Sequence, residues 1–213
     1  MKPTVRIVLA SGNVGKLNEL RALLADLPVD LVSLAEVLKS SPALVEDEDT
    51  FEANATSKAR QACQATGSVA LADDSGLEVD VLGGRPGVRS ARFASEHATD
   101  AENNAELLRQ LDGFPDSQRR ARFRCVLALV DPLQPHSVRI ASGRCEGRIA
   151  TAPRGDHGFG YDPLFLVDGH GGRTMAELTF SEKNAISHRS QATQALRPLV
   201  AELVRGRRSM PNA

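Results

Sequence analysis

The sequence predicts an α/β fold, and three observations carry that prediction. An apolar run, Val5 to Ala10, leads through a glycine-containing loop into a leucine-rich helical pattern. A second apolar run, Val69 to Ala72, follows another helical pattern and delivers two adjacent carboxylates, Asp73 and Asp74. Two later helices each open on a Thr-x-x-Glu capping box, Thr99 to Glu102 and Thr179 to Glu182, among further strand-like runs. Such alternation suits a sheet covered by helices.

Composition bounds the function classes. With 213 residues, 41% hydrophobic and 25% charged, the chain can bury a sizeable core in one or two closely packed lobes. A net charge of -1 excludes a global basic field, so neither nucleic acid nor a membrane surface is an expected partner, and any anion site must be local. Cys63, Cys125 and Cys145 are scattered, odd in number and without CxxC spacing, which argues against a disulfide framework or structural zinc and fits a reducing cytoplasm. The apolar run at the N-terminus is too short for a signal peptide or a membrane span. The five histidines show no HExxH spacing, and no GxSxG is present.

In chain order, Val5 to Ala10 reads as a buried strand and Ser11-Gly12-Asn13-Val14-Gly15-Lys16 as the loop into a helix carrying Leu17, Leu20, Leu23, Leu24 and Leu27, ended by Pro28. A strand, a glycine-rich turn and a helix N-terminus together bind phosphate, and Lys16 adds a point charge. The spacing is neither Walker A nor GxGxxG, and a plain βα turn with a solvated lysine accounts for the stretch equally well. Leu31 to Pro42 carries no assignable pattern. The acidic run Glu46 to Asp49 precedes a helix with Asp49 as N-cap, turns Phe51, Ala55, Ala59, Ala62 and Cys63 inward, and closes at Gly67. Asn54 and Lys58 share one face of it, which local pattern assigns to solvent.

Val69 to Ala72 then forms a buried strand, with Asp73, Asp74 and Ser75 at its end and a bend at Gly76. Ligands of open α/β sheets gather beyond the carboxyl ends of strands, and paired carboxylates suit magnesium; an Asx-type turn explains the same residues without a ligand. Leu77 to Leu82 reads as a half-buried strand broken by Gly83 to Gly87, and the helix after Thr99, with Leu107, Leu108 and Leu111, as scaffold. Ala121 to Asp131 and Ser137 to Cys145 read as an antiparallel excursion from the main sheet, hence a second lobe. In GDHGFGYDP, residues 155–163, Phe159 and the only tyrosine, Tyr161, sit between glycines, where a ring can stack on a base with Asp162 accepting hydrogen bonds, or can anchor the loop in the core. Lys183, His188 and Arg189 cannot share one face of an uninterrupted helix at about 100° per residue, so either a break falls near Ala185 to Ser187 or they contact different parts of one ligand; a solvated basic face explains the same residues without one. An amphipathic helix with Leu196, Leu199, Val200 and Leu203 follows, and residues 205–213 read as a flexible basic tail.

SGNVGK, TFEANA with Lys58, ADDSGLEVDVLGGRPG, GFGYDP and EKNAISHRSQA stand in the order and spacing of one family. From about Val5 to about Ala192 the chain resembles the inosine triphosphate pyrophosphatase family, in its bacterial dITP/XTP branch. The resemblance implies a homodimeric α/β enzyme with a long mixed central sheet flanked by helices, its residues 1–204 forming a single two-lobed domain with the substrate cleft between the lobes. It further implies Mg-dependent hydrolysis of deaminated purine nucleoside triphosphates (ITP, dITP, XTP) to the monophosphate and pyrophosphate. Asp74 matches the catalytic and magnesium-associated aspartate, Ser75 a substrate contact, and Ser11 through Lys16 the triphosphate loop, with Lys58 beside the phosphates. Phe159, Gly160, Tyr161, Asp162, Lys183, His188 and Arg189 match residues holding the nucleotide and its base. Ser11 replaces the more usual Thr, and Glu48 stands where a glycine normally precedes TFEANA; the second acidic metal ligand comes from this region, and Glu46 is taken for it. A pyrophosphatase preferring other triphosphates and a non-catalytic nucleotide sensor are the alternatives, the latter disfavoured by the intact Asp73-Asp74 pair.

Overall fold

The computed structural model describes residues 4–39 and 44–208. Its strands are β1 (Val5–Leu9), β2 (Val29–Ser33), β3 (Val69–Val79), β4 (Arg120–Asp131), β5 (Gln134–Ile149) and β6 (Phe165–Val167). Its helices are α1 (Val14–Leu23), α2 (Leu34–Val37), α3 (Phe51–Thr66), α4 (Asp100–Gln110), α5 (Phe180–Ile186) and α6 (His188–Arg208). The strands form one sheet in the order β2-β1-β3-β4-β5-β6. It is mixed: β1 pairs parallel with β2 and β3, whereas β5 and β6 are antiparallel.

Contacts divide the chain into two compact units, the first within 1–74, 125–143 and 189–213, the second within 75–124 and 144–188. The first unit closes its core where Ile7, Leu9, Val69 and Leu71 of the sheet meet Leu17 and Leu20 of α1, the capping Leu24, and Leu196, Val200 and Leu203 of α6. These are the leucine positions that helical periodicity selects, because a 3.6-residue repeat puts them on one stripe. The second unit buries Leu77, Val79, Phe123, Ile149 and Phe165 with Leu107 of α4 and its capping Leu111. No helix among the described residues is long and apolar enough to cross a membrane.

Several expectations are revised. Asp73, Asp74, Ser75 and Gly76 lie inside β3 rather than in a turn. Gly76 takes no left-handed conformation, and each carboxylate meets a cation, Lys16 and Arg189 at Asp73 and Lys58 at Asp74, so an extended strand can hold both. The strand ends at Val79, and Asp80–Leu82 is a 3-10 turn. β4 and β5 are members of the main sheet, not an excursion from it. Thr50 caps α3 in place of Asp49, its Oγ1 accepting from Ala53 N at 3.1 Å. Residues 29–37 form β2 and α2, while 40–42 of the unassigned stretch lie outside the described residues. α6 continues through the first residues of the expected tail to Arg208; 209–213 lie outside the described residues. The break before Arg189 falls where expected: Ser187 ends α5 and α6 opens at His188.

Candidate active site

The first unit builds a cluster of charge around the acidic pair. Ala10 N donates to Leu71 O at 2.8 Å, so the chain leaves β1 beside the part of β3 that leads into Asp73. Asn13 then caps α1, its Oδ1 accepting from Lys16 N at 3.0 Å, and the helix starts at Val14, within the expected loop. Lys16 Nζ reaches Asp73 Oδ1 at 2.5 Å. From α3, Lys58 Nζ lies 2.8 Å from Asp74 Oδ1, 2.9 Å from Asp73 O and 3.2 Å from Glu46 Oε1. Lys58 and Asn54 are buried, against the solvent-facing pattern: Lys58 is drawn in by these oxygens, and Asn54 by the backbone of Glu48, which it meets through both ends of its amide.

The two aspartates have opposite electrostatics. Burial alone pushes the Asp73 carboxyl up, but Arg189 and Lys16 outweigh it and hold Asp73 well below its ordinary value. Arg189 Nε donates to Asp73 Oδ2 at 2.8 Å, its Nη1 to Glu19 of α1, and Cys125 Sγ lies 3.3 Å from the same Oδ2. Arg189 therefore joins Asp73 to Glu19. At Asp74 burial prevails over Lys58 and Lys16, and its carboxyl is raised. Its Oδ2 is buried without a hydrogen-bond partner among the described residues. For Lys58 burial is outweighed by Asp74 and Glu46, which raise its pKa and keep it cationic.

A hollow of about 390 Å³ is lined by Ser11, Gly12, Asn13, Val14 and Glu46, among others, so the loop and the expected second acidic residue face one space. Among the described residues no three His, Cys, Asp or Glu side chains are grouped to hold a metal by themselves. Asp74 and Glu46, which share Lys58, nonetheless fit magnesium: that ion commonly takes one or two carboxylates and completes its shell with water and substrate phosphate, and Asp74 Oδ2 is an uncommitted donor atom.

The second unit carries the aromatic loop. Lys183 Nζ meets Asp162 Oδ2 at 2.6 Å, the same oxygen accepts from Phe159 N at 3.0 Å, and the ammonium lies 4.7 Å from the Phe159 ring centroid. A Cβ on Gly158, at φ +81°, would stand 2.0 Å from that Oδ2, so only glycine fits. Gly160 is clasped from α4, its N–H donating to Asp100 at 2.6 Å and its carbonyl accepting from Asn104 at 2.9 Å. Phe159 is half-buried, whereas Tyr161 is buried in the core with its hydroxyl donating to Ser90 O at 2.8 Å. Of the two roles open to an aromatic in this loop, Tyr161 takes the anchoring one. Burial pushes its phenol up, so it remains a donor. Tyr161→Phe is expected to cost about 1–2 kcal/mol by stripping the Ser90 carbonyl of its donor; thermal unfolding checks this, and an unchanged melting temperature refutes it. Ser75 is half-buried in β3 and His188 is buried at the start of α6.

Sequence reasoning did not single out Glu19, Cys125, Asp100, Asn104 or Phe123. Only Glu19 left a trace: it stands three residues after Lys16, on the same helix face, between leucines that are buried.

Comparison with known proteins agrees with this fold. The family model described as "Ham1 family" matches residues 7–199. A dITP/XTP pyrophosphatase of Geobacillus kaustophilus is 49% identical, over 94% of this chain and 97% of its own. The structure of a HAM1 protein from Coxiella burnetii superposes with a TM-score of 0.84 at 47% identity, covering 93% of this chain and 100% of that one. A nucleoside-triphosphatase / dITP/XTP pyrophosphatase from Mycobacterium abscessus gives 0.73 at 46% identity, covering 91% and 100%.

Proposed function

The chain belongs to the Ham1 family, and from that premise we propose that it hydrolyses deaminated purine nucleoside triphosphates (dITP, ITP and XTP) to the monophosphate and pyrophosphate with magnesium. The observation that carries the reading is the Asp73-Asp74 pair between Lys16 and Lys58, in which one carboxylate is locked in ion pairs and the other keeps an uncommitted oxygen.

The roles follow from the chemistry. Amides of Ser11 through Gly15 at the start of α1, with Lys16 and Lys58, hold the triphosphate. Magnesium, when bound by Asp74 and Glu46, supplies charge neutralisation on the phosphates. Asp74 accepts a proton from the attacking water as the water oxygen bonds to the α-phosphorus, and the bond from that phosphorus to the bridging oxygen breaks to release pyrophosphate. Asp73, held anionic by Arg189 and Lys16, fixes Lys16 rather than taking the proton. Phe159 offers a face to the base, while Asp162 and Lys183 hold its loop and Ser75 contributes a hydroxyl. His188 donates to the purine 6-oxo group, where adenine presents a 6-amino donor instead. Arg189 is assigned to Asp73, which leaves the base to His188.

We assign the reaction to the cytoplasm, supported by three buried cysteines that form no disulfide, and to a homodimer, supported by the family resemblance and checked by the solution mass. The deciding experiment measures pyrophosphate release from dITP, ITP, XTP, GTP, ATP and dTTP with magnesium and with chelator. Magnesium-dependent turnover confined to the deaminated purines is expected. Comparable turnover of ATP or dTTP overturns the base selection, and tight binding without turnover replaces the enzyme with a sensor.

A further inference from the structure

We infer that Phe123 of β4 is a specificity-determining positioning residue, setting the plane in which His188 presents its donor to the base. The inference rests on the reading above that His188 meets the purine 6-oxo group. The Phe123 and His188 rings are stacked, with centroids 4.8 Å apart and planes 18° from parallel. Phe123 is itself wedged against Phe165, centroids 4.6 Å apart at 49°, inside the core of the second unit. The backbone of His188 is held at the junction where Ser187 N closes α5 on Lys183 O at 2.9 Å. With backbone and one ring face fixed, the imidazole keeps one plane. Its N–H groups lie in that plane, and a hydrogen bond weakens steeply as it is bent, so the plane decides whether the donor is aimed.

A leucine at position 123 keeps the site apolar but removes the flat surface. Discrimination between a 6-oxo and a 6-amino purine then falls, because the donor is no longer held in line, while contacts to the triphosphate are untouched. A purely structural loss would instead lower turnover of every substrate together.

The test measures kcat and KM for dITP and dATP in the wild type, Phe123→Leu, Phe123→Met, Phe123→Tyr, His188→Ala and the Phe123→Leu/His188→Ala double variant. Phe123→Leu and Phe123→Met are expected to lower the dITP-over-dATP ratio of kcat/KM about tenfold, almost wholly through dITP. Phe123→Tyr keeps the flat ring and retains the ratio. In the His188→Ala background the Leu substitution changes the ratio no further, since the two act as one unit. The imidazole proton resonances of His188 report the stacking independently of folding in the variants: an upfield ring-current displacement in the wild type supports it, and its absence overturns it. An undiminished ratio in Phe123→Leu or Phe123→Met, or an equal loss for both substrates, likewise overturns the inference while wild-type selection leaves the function standing. A wild type that does not prefer dITP to dATP overturns the functional reading and this inference with it.

Discussion

Asp74→Asn is expected to slow pyrophosphate release from dITP by about 10³-fold while leaving the melting temperature unchanged or higher. The amide keeps the shape and an oxygen for Lys58, but it accepts no proton and is a poor metal ligand, the two roles that Asp74 carries. The stability half follows from linkage. Burial raises the folded pKa of Asp74 above its ordinary 3.8, so its favourable contribution belongs to the protonated form and is lost as pH rises through the raised value. At pH 7 the buried carboxylate is therefore a net cost, accepted at a functional position, and neutralising it relieves that cost while Lys58 keeps Glu46 and the Asp73 carbonyl as partners for its charge. Steady-state turnover and thermal unfolding on the same preparation check both halves. A variant within tenfold of wild type would falsify the assignment of Asp74.

Arg189→Ala should destabilise the protein by about 3–5 kcal/mol at pH 7, because it abandons Asp73 and Glu19, both buried, without the guanidinium that joins them. The sign of the pH dependence identifies the mechanism. Arg189 and Lys16 hold Asp73 well below 3.8, so its stabilisation is fully present above about pH 4 and lost as pH falls through the depressed folded value. In the variant the strongest of those attractions is gone, and the Asp73 carboxylate can relieve its burial by taking up a proton. The gap between wild type and Arg189→Ala should therefore narrow between pH 7 and pH 4 in urea unfolding. A gap that is constant across that range, or below about 1 kcal/mol at pH 7, shows that the buried pairing is not what Arg189 supplies.

Much of this organisation is legible in the residue order, for reasons of local physics. The leucine stripes of α1 and α6, the capping boxes of α4 and α5 and the closing Gly67 of α3 are short-range signals, set by helical repeat and by backbone groups that need partners within a few residues. The interruption at Ser187 likewise falls where the differing directions of Lys183 and Arg189 on one continuous helix pointed to it, although Arg189 pairs with Asp73. The five motifs also identified the family, because each places several chemically committed residues at fixed spacing.

Local pattern misjudged the places where a charge is satisfied from far along the chain. Asp73 and Asp74 read as a strand end because the apolar run stops at Ala72 and Gly76 offers a bend, yet β3 runs straight through on cations from α1, α3 and α6. Asn54 and Lys58 read as solvent-facing, yet both are buried by partners outside their own turn of helix. By itself the sequence determined the elements, their amphipathic faces and which residue types carry the chemistry, since these depend on neighbours within a few positions. Only the tertiary structure decided how that chemistry is divided, with Asp73 bound to Arg189, Asp74 left an uncommitted oxygen and His188 pressed flat on Phe123. Burial and the nearest charge set a group's protonation and aim, and both arise from contacts that sequence spacing does not encode.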